Sequence, residues 1–218
     1  MIPRHAFALV AGLALAACTS FPPADPSDAP DARAVRPGEF IAAASHAEAL
    51  RKWRTADDVN AWIGARFEYD RTRALLLSET QRQSGARVPI HEPAAFFSKP
   101  HGVCVDLSRF AIETLRAVEP ASKPQYLMIE FEPVKVAGNT LRLHWLASYR
   151  RDGAYYFFAD SKRPGDIAGP YPTVEAFIAE YELYRGRKVV RFRELDSYER
   201  KQRTRASRQD RPADSDPR

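Results

Sequence analysis

The sequence has few cysteines and no long apolar run, and each absence excludes a class of protein. Only Cys18 and Cys104 occur among 218 residues, too few for a disulfide-rich scaffold or a zinc site with four cysteine ligands. The apolar stretch 6–17 has about a dozen residues, short of the roughly 20 that a membrane-spanning helix needs. A hydrophobic content of 44% and an aromatic content of 11% exclude global disorder and predict one folded domain.

The short apolar stretch is typical of a secretory signal, because Arg4 precedes it and small residues end it. The ending Leu15-Ala16-Ala17-Cys18 resembles the lipobox of bacterial lipoproteins. That resemblance implies removal of residues 1–17, acylation of Cys18, and durable attachment to a membrane through two or three acyl chains. Thr19, where an inner-membrane retention signal usually has Asp, implies the outer membrane, facing the periplasm. The alternative is a plain secretory signal in which Cys18 has no role.

Two polar segments flank the predicted folded domain, which spans 41–196. Residues 19–40 are rich in Pro, Asp and Ala and predict a disordered linker. Residues 197–218 carry seven basic and four acidic side chains, which is +3 of the chain's formal +5, and predict a disordered basic tail. The net charge therefore says little about the folded part. No nucleic-acid partner is predicted, because no nucleic-acid-reading motif is present.

Helices precede strands along the folded part, which predicts an α+β fold. Helical spacing covers 41–53, Thr55 is a predicted N-cap, and Asp70 is the N-cap of a helix ending near Gly85. The proline-rich stretch 87–102 predicts irregular structure.

The second half of the domain begins with a predicted amphipathic helix over 104–118. Predicted strands follow at 125–134, 140–150, 154–160 and 188–192, and a helix at 173–184 precedes the last of them.

Cys104 is the candidate nucleophile because it is the single thiol left once Cys18 is acylated. It stands at the predicted start of a helix, where free N–H groups and the helix dipole favour the thiolate. We therefore expect a lowered thiol pKa and a backbone oxyanion donor. The alternative is a buried cysteine that acts as a small hydrophobic side chain.

A thiol nucleophile needs a base, and His144 is the candidate. It lies in the predicted strand LRLHWLASY, where Trp145 points to the other side. The remaining histidines are His5 in the signal, His46 on an early helix, and His91 and His101 in the loop before Cys104, where either could touch the site.

The turn after this strand decides which side chains share the face of His144. A three-residue loop, 151–153, would place His144 directly opposite Asp160. A two-residue loop, Asp152-Gly153, would place the two on opposite faces. Only the three-residue loop forms a His–Asp pair without a bulge.

Four segments in this order resemble the transglutaminase-like superfamily, including its bacterial cysteine peptidases: AWIGARFEYD, GVCVD, LHWLASY and FFADSKRPG, which span about 59–170. The resemblance implies a papain-like core in which N-terminal helices and a nucleophile helix pack on an antiparallel sheet. It implies a catalytic triad of Cys104, His144 and Asp160 with no cofactor or metal. Ser161 departs from the Asp-Pro pair common in the family, and the upstream side-chain oxyanion donor of some members has no counterpart that we can place.

The implied function is a thiol hydrolase or acyltransferase acting on amide bonds of proteins or peptides, with hydrolysis favoured because water is abundant. The alternative is a non-catalytic lipoprotein that uses the same fold for binding or scaffolding. A metal site built from His91, His101 and His144 would lack recognisable ligand spacing.

Overall fold

The computed structural model describes residues 39–161 and 165–199. The predicted signal, the lipidation site Cys18, the linker up to 38 and the basic tail from 200 onward lie outside these ranges. Within them, no helix combines the length and apolar character needed to cross a membrane.

Five short helices form the N-terminal part, and polar caps fix where most of them begin. Thr55 accepts a hydrogen bond from the N–H of Asp58, and Asp70 from that of Arg73, so both predicted N-caps are confirmed. The helix predicted from Asp70 to Gly85 is instead two helices, because Ser78 accepts from the N–H of Gln81 and starts a second one. The five are α1 His46–Lys52, α2 Ala56–Arg66, α3 Arg71–Leu76, α4 Glu79–Gln83 and α5 Pro93–Ser98.

A short parallel pair of strands leads into the helix that carries Cys104. Strand β1, Glu68–Tyr69, pairs with β2, His101–Gly102. Helix α6, Cys104–Val118, follows directly and has the predicted bounds. The stretch predicted as irregular therefore contains both α5 and β2.

The C-terminal part is a five-stranded antiparallel sheet in the order β6-β5-β4-β3-β7. The α+β prediction is confirmed. Strand β6 was not predicted, because its Gly-Pro sequence is untypical of a strand. The elements are β3 Gln125–Val136, β4 Asn139–Arg151, β5 Ala154–Phe158, β6 Ala168–Tyr171, α7 Val174–Arg185 and β7 Val189–Leu195, with a 3₁₀ turn at Pro120–Ser122.

The sheet separates two hydrophobic cores. On one face, α1, α2, α5 and α6 pack against alternate residues of β4, including Trp145 and Ala147. On the other face, α7 packs against Leu146 and its neighbours on β3 and β5. His144 is on the α7 side, because its ring lies beside Phe131 and Tyr181.

The turn between β4 and β5 has two residues, so of the two loops that the sequence left open, the two-residue loop is observed. Arg151 pairs with Ala154, and Ala147 pairs with Phe158. Asp152 and Gly153 have φ values of 52° and 79°, the left-handed pair that a type I′ turn requires. Such a turn matches the twist of its two strands, and Asp-Gly readily adopts it.

A buried carboxylate ties the start of α6 to the segments before it. Asp106 is fully buried and accepts two hydrogen bonds of 2.7 Å from the guanidinium of Arg73. It also accepts from the backbone N–H groups of His91 at 2.9 Å and Val103 at 3.1 Å. Gly102 is required beside it, since an added Cβ would lie 2.9 Å from the Cβ of Asp106. One side chain thus fixes α3, the loop at 91 and the residue before Cys104.

We expect Asp106→Asn to lower the free energy of unfolding by about 3 kcal/mol, because it leaves the Arg73 charge buried without its counter-ion. The matched control is Asp57→Asn, also in a first helical turn, whose 2.7 Å pair with Arg151 is exposed. The control is expected to lose less than about 1 kcal/mol. Urea denaturation followed by circular dichroism measures the free energy of unfolding of both variants. Equal losses in the two would contradict a special stabilising role for the buried Asp106 contacts.

Candidate active site

Cys104 is the first residue of α6, and its sulfur lies against the backbone of β4. The residue is 9% exposed, and the backbone N–H of Trp145 is near enough to Sγ to favour the thiolate. This edge of β4 is accessible because β5 ends at Phe158, and the pairing of β4 with β5 begins only at Ala147. The shortness of β5 therefore brings the thiol next to the residue that follows His144.

His144 is buried, and its described polar contacts are all made through Nε2. That nitrogen is 3.0 Å from the Tyr181 hydroxyl, 3.3 Å from the Asp160 carbonyl oxygen and 4.0 Å from Asp160 Oδ2. The ring stacks on Tyr181 at an interplanar angle of 24°. Nδ1 is left for the other side of the imidazole.

Asp160 comes close to His144 by a route different from the one predicted. In the observed register a regular β5 would carry Asp160 to the opposite face of the sheet. Ala159 and Asp160 instead have φ values of 57° and 77°, and this left-handed pair turns the chain. Ser161 Oγ then donates to the carbonyl of Phe157 at 3.0 Å. The predicted pair is therefore present as a 4.0 Å approach, although the loop that was to form it is not.

Tyr181 and Arg185, one turn apart on α7, were not predicted as part of the site. The guanidinium of Arg185 donates to the Tyr181 hydroxyl at 3.0 Å. The hydroxyl in turn lies within hydrogen-bond distance of both His144 Nε2 and the Asp160 carbonyl. An aromatic residue followed by arginine on an amphipathic helix gives no sequence signal for this role.

This network indicates which nitrogen of His144 carries the proton. Because Arg185 only donates, the Tyr181 hydroxyl keeps one proton to give. With the imidazole proton on Nε2, that nitrogen donates to the Tyr181 hydroxyl and the hydroxyl donates to the Asp160 carbonyl, so each group around Nε2 has a partner. With the proton on Nδ1, the hydroxyl would have to donate its proton to Nε2, and the Asp160 carbonyl would then have no donor. We assign the Nε2–H tautomer, which leaves Nδ1 as the basic nitrogen.

Within the described residues, no hydrogen bond joins the sulfur of Cys104 to His144. The two belong to different cores, Cys104 to the α6 side and His144 to the α7 side. Both nevertheless line one cavity of about 490 Å³, whose walls also come from 74–90 and from the first half of β4. Catalytic hydrogen bonds are often long or poorly aligned in free enzymes, so the missing bond does not exclude a catalytic pair.

Burial sets the resting charge of the site. It raises the pKa of the Cys104 thiol to about 12, and the negative charge of Asp160 acts in the same direction. The expectation of a lowered thiol pKa is therefore wrong, since desolvation outweighs the helix start. Burial and the nearby Arg185 charge lower the pKa of His144 well below its ordinary value. At neutral pH the site holds a thiol and a neutral imidazole.

The loop histidines lie away from the cavity. His101 Nε2 is 3.1 Å from a carboxylate oxygen of the exposed Glu68, and His91 contributes its backbone N–H to Asp106. Neither lines the cavity. In the described ranges, no three His, Cys, Asp or Glu side chains are grouped to hold a metal ion.

Comparison with protein-family models, with curated proteins and with solved structures gives no match for this chain. The catalytic roles of Cys104, His144 and Asp160 stay predictions that depend on the chemistry and placement of these residues.

We expect alkylation of Cys104 by iodoacetamide to accelerate about tenfold per pH unit from pH 7 to pH 10 without a plateau, because only the thiolate reacts. In urea-unfolded protein the rate should level off above an ordinary thiol pKa of about 8.5. The raised pKa also means that the unfolded chain loses the thiol proton first, so this group destabilises the fold as pH rises above about 8.5. Mass spectrometry of the Cys104 peptide measures the rates, and a plateau below pH 9 in the folded protein would contradict the assigned burial effect.

Proposed function

We propose that this chain is a thiol-dependent hydrolase of amide bonds in proteins or peptides, of the transglutaminase-like type. The observation that carries the proposal is a cavity lined by both Cys104 and His144, with the histidine held through Nε2. Cys104 is the nucleophile, His144 is the base and acid, and Asp160 and Tyr181 orient the imidazole.

The first step starts from neutral groups. Sγ of Cys104 bonds to the substrate carbonyl carbon while its proton passes to Nδ1 of His144. Because neither group is charged at rest, proton transfer accompanies the attack and does not precede it. The developing oxyanion meets the N–H of Cys104, which lies in the first turn of α6, where N–H groups have no acceptor within the helix.

The second step releases the amine and leaves a thioester. The C–N bond breaks, and the imidazolium gives its proton to the departing nitrogen. Asp160, whose carboxylate is 4.0 Å from Nε2, stabilises the imidazolium while it exists. Water then attacks the thioester with His144 as base, which releases a carboxylic acid and restores the thiol. An amine in place of water would give cross-linking.

The cellular location is part of the same proposal and depends on the sequence alone. The lipobox-like ending at Cys18 supports a lipid-anchored protein on the outer membrane, facing the periplasm. The linker over 19–40 would separate the domain from the lipid.

The test is turnover of a peptide mixture by the full chain, followed by mass spectrometry. We expect Cys104→Ala to abolish cleavage and His144→Ala to reduce kcat by about 10³-fold or more. Hydroxylamine should trap the thioester as a hydroxamate, and a fluorescent amine distinguishes transfer from hydrolysis. Cleavage that survives in Cys104→Ala would refute the mechanism. A chain that binds peptides without forming a trappable thioester would be the binding or scaffold lipoprotein.

We expect Tyr181→Phe to lower kcat about tenfold, because the hydroxyl is one of two oxygens that accept from the imidazolium Nε2–H. Its loss makes the imidazolium less stable, so the acidic limb of the pH–rate profile should move to lower pH. The control is Tyr149→Phe, since within the described residues the buried Tyr149 hydroxyl has no hydrogen-bond partner. An unchanged profile in Tyr181→Phe, or the same change in both variants, would exclude a positioning role for Tyr181.

A further inference from the structure

The cavity beside Cys104 is lined by many more cations than anions. Five arginines and a single acid, Glu79, belong to the described lining. Arg142 is neutralised within the fold, because Glu79 lies 2.6 Å and Glu130 3.2 Å from its guanidinium. The arginines are Arg82, Arg87, Arg142, Arg185 and Arg187.

Arg185 and Arg187 both pack against the ring of Phe131. Their guanidinium carbons lie 5.6 Å and 4.7 Å from the centroid of the same Phe131 ring. Arg187 donates to a backbone carbonyl, that of Glu132, at 2.9 Å. Burial, with the Arg185 charge beside it, lowers the pKa of Arg187 to about 10. A carboxylate in the cavity would be attracted by both of these positive charges.

This pair lies next to the proposed chemistry. Arg185 donates to Tyr181, whose hydroxyl is 3.0 Å from His144 Nε2, so two hydrogen bonds connect Arg185 to the base. The negative charge of Asp160 also acts on Arg185. Arg87 is exposed and has no hydrogen bond or ion pair in the described part of the chain. It therefore presents a positive charge at the entrance.

We propose that this cavity selects substrates that carry a carboxylate close to the carbonyl that Cys104 attacks. Arg187 and Arg185 bind the carboxylate, and Arg87 attracts it from solvent. Guanidinium groups match carboxylates in planar, two-bonded geometry, and a cavity of about 490 Å³ is within the usual size of a ligand site. In a peptide the carboxylate is an Asp or Glu side chain or the C-terminus. The reaction at the neighbouring carbonyl depends on the proposed function, whereas the preference for a carboxylate does not.

The first test compares alkylation of Cys104 by iodoacetate and by iodoacetamide, which differ mainly in the negative charge. A variant that alters the thiol pKa changes both rates equally, so the ratio reports the charge preference alone. We expect the iodoacetate-to-iodoacetamide ratio to exceed that of N-acetylcysteine amide about fivefold or more, and to fall towards it in 1 M NaCl.

Variants locate the effect. Arg187→Gln and Arg87→Gln should each lower the ratio about threefold. Arg193→Gln removes the same charge from β7 at an exposed position outside the cavity and should leave the ratio unchanged. Arg87→Gln tests the proposal even if Arg187→Gln fails to fold, because Arg87 is exposed. A ratio equal to that of the reference thiol, or an equal fall in Arg193→Gln, would overturn the inference.

The second test identifies the source of the carboxylate by measuring peptide binding to full-length Cys104→Ala by fluorescence anisotropy. One peptide pair differs in Glu against Gln, and another in a C-terminal carboxylate against an amide. In one of the two pairs, we expect the peptide with the carboxylate to bind about tenfold more tightly than its neutral counterpart. Arg187→Gln should remove that preference. No preference in either pair would overturn the inference. A preference without peptide cleavage would refute the proposed function and leave the anion site standing.

Discussion

Burial of the Asp106 carboxylate is the constraint on which the site depends. A buried charge is tolerated only when its partners surround it, and here they come from α3, from the loop at His91 and from the residue before α6. The same contacts bring 74–90 over the start of α6, where this segment forms one wall of the cavity. The position of the thiol and the shape of the space in front of it therefore have one cause. The acidic residue two positions after Cys104 is structural, and no step of the proposed reaction uses it.

Much of the framework could be predicted because local patterns and packing agree. The bounds of α6 follow from its apolar stripe, and Thr55 and Asp70 cap helices as their side chains allow. The path of Asp160 could not be predicted, since it needs two left-handed residues in succession and one of them is Ala159, a residue that rarely adopts φ above zero. Asp-Gly suits either turn length, so the register was open as well. Tertiary packing decides both.

Electrostatics was predicted least well, because it depends on neighbours that are distant in sequence. The start of a helix favours a thiolate, but the surrounding core raises the thiol pKa, and only the fold shows how deep Cys104 lies. Tyr181 contacts His144 although the two residues are 37 positions apart in the sequence. Likewise, the formal charge of +5 was attributed largely to the tail, whereas the folded domain concentrates arginines from α4, β4 and α7 around one cavity. Net charge is a sum and carries no information about such clustering.

Because β5 ends at Phe158, the site lies between two layers that pack separately. The sulfur is fixed by the core under α6, and the imidazole by the core under α7. Their separation is therefore a property of how the layers are aligned across the sheet, and neither core determines it alone. Small sliding of α7 against the sheet would change the distance between sulfur and nitrogen while every hydrophobic contact under α6 is kept. Substitutions under α7 can therefore reposition the imidazole while the contacts of the thiol under α6 are unchanged.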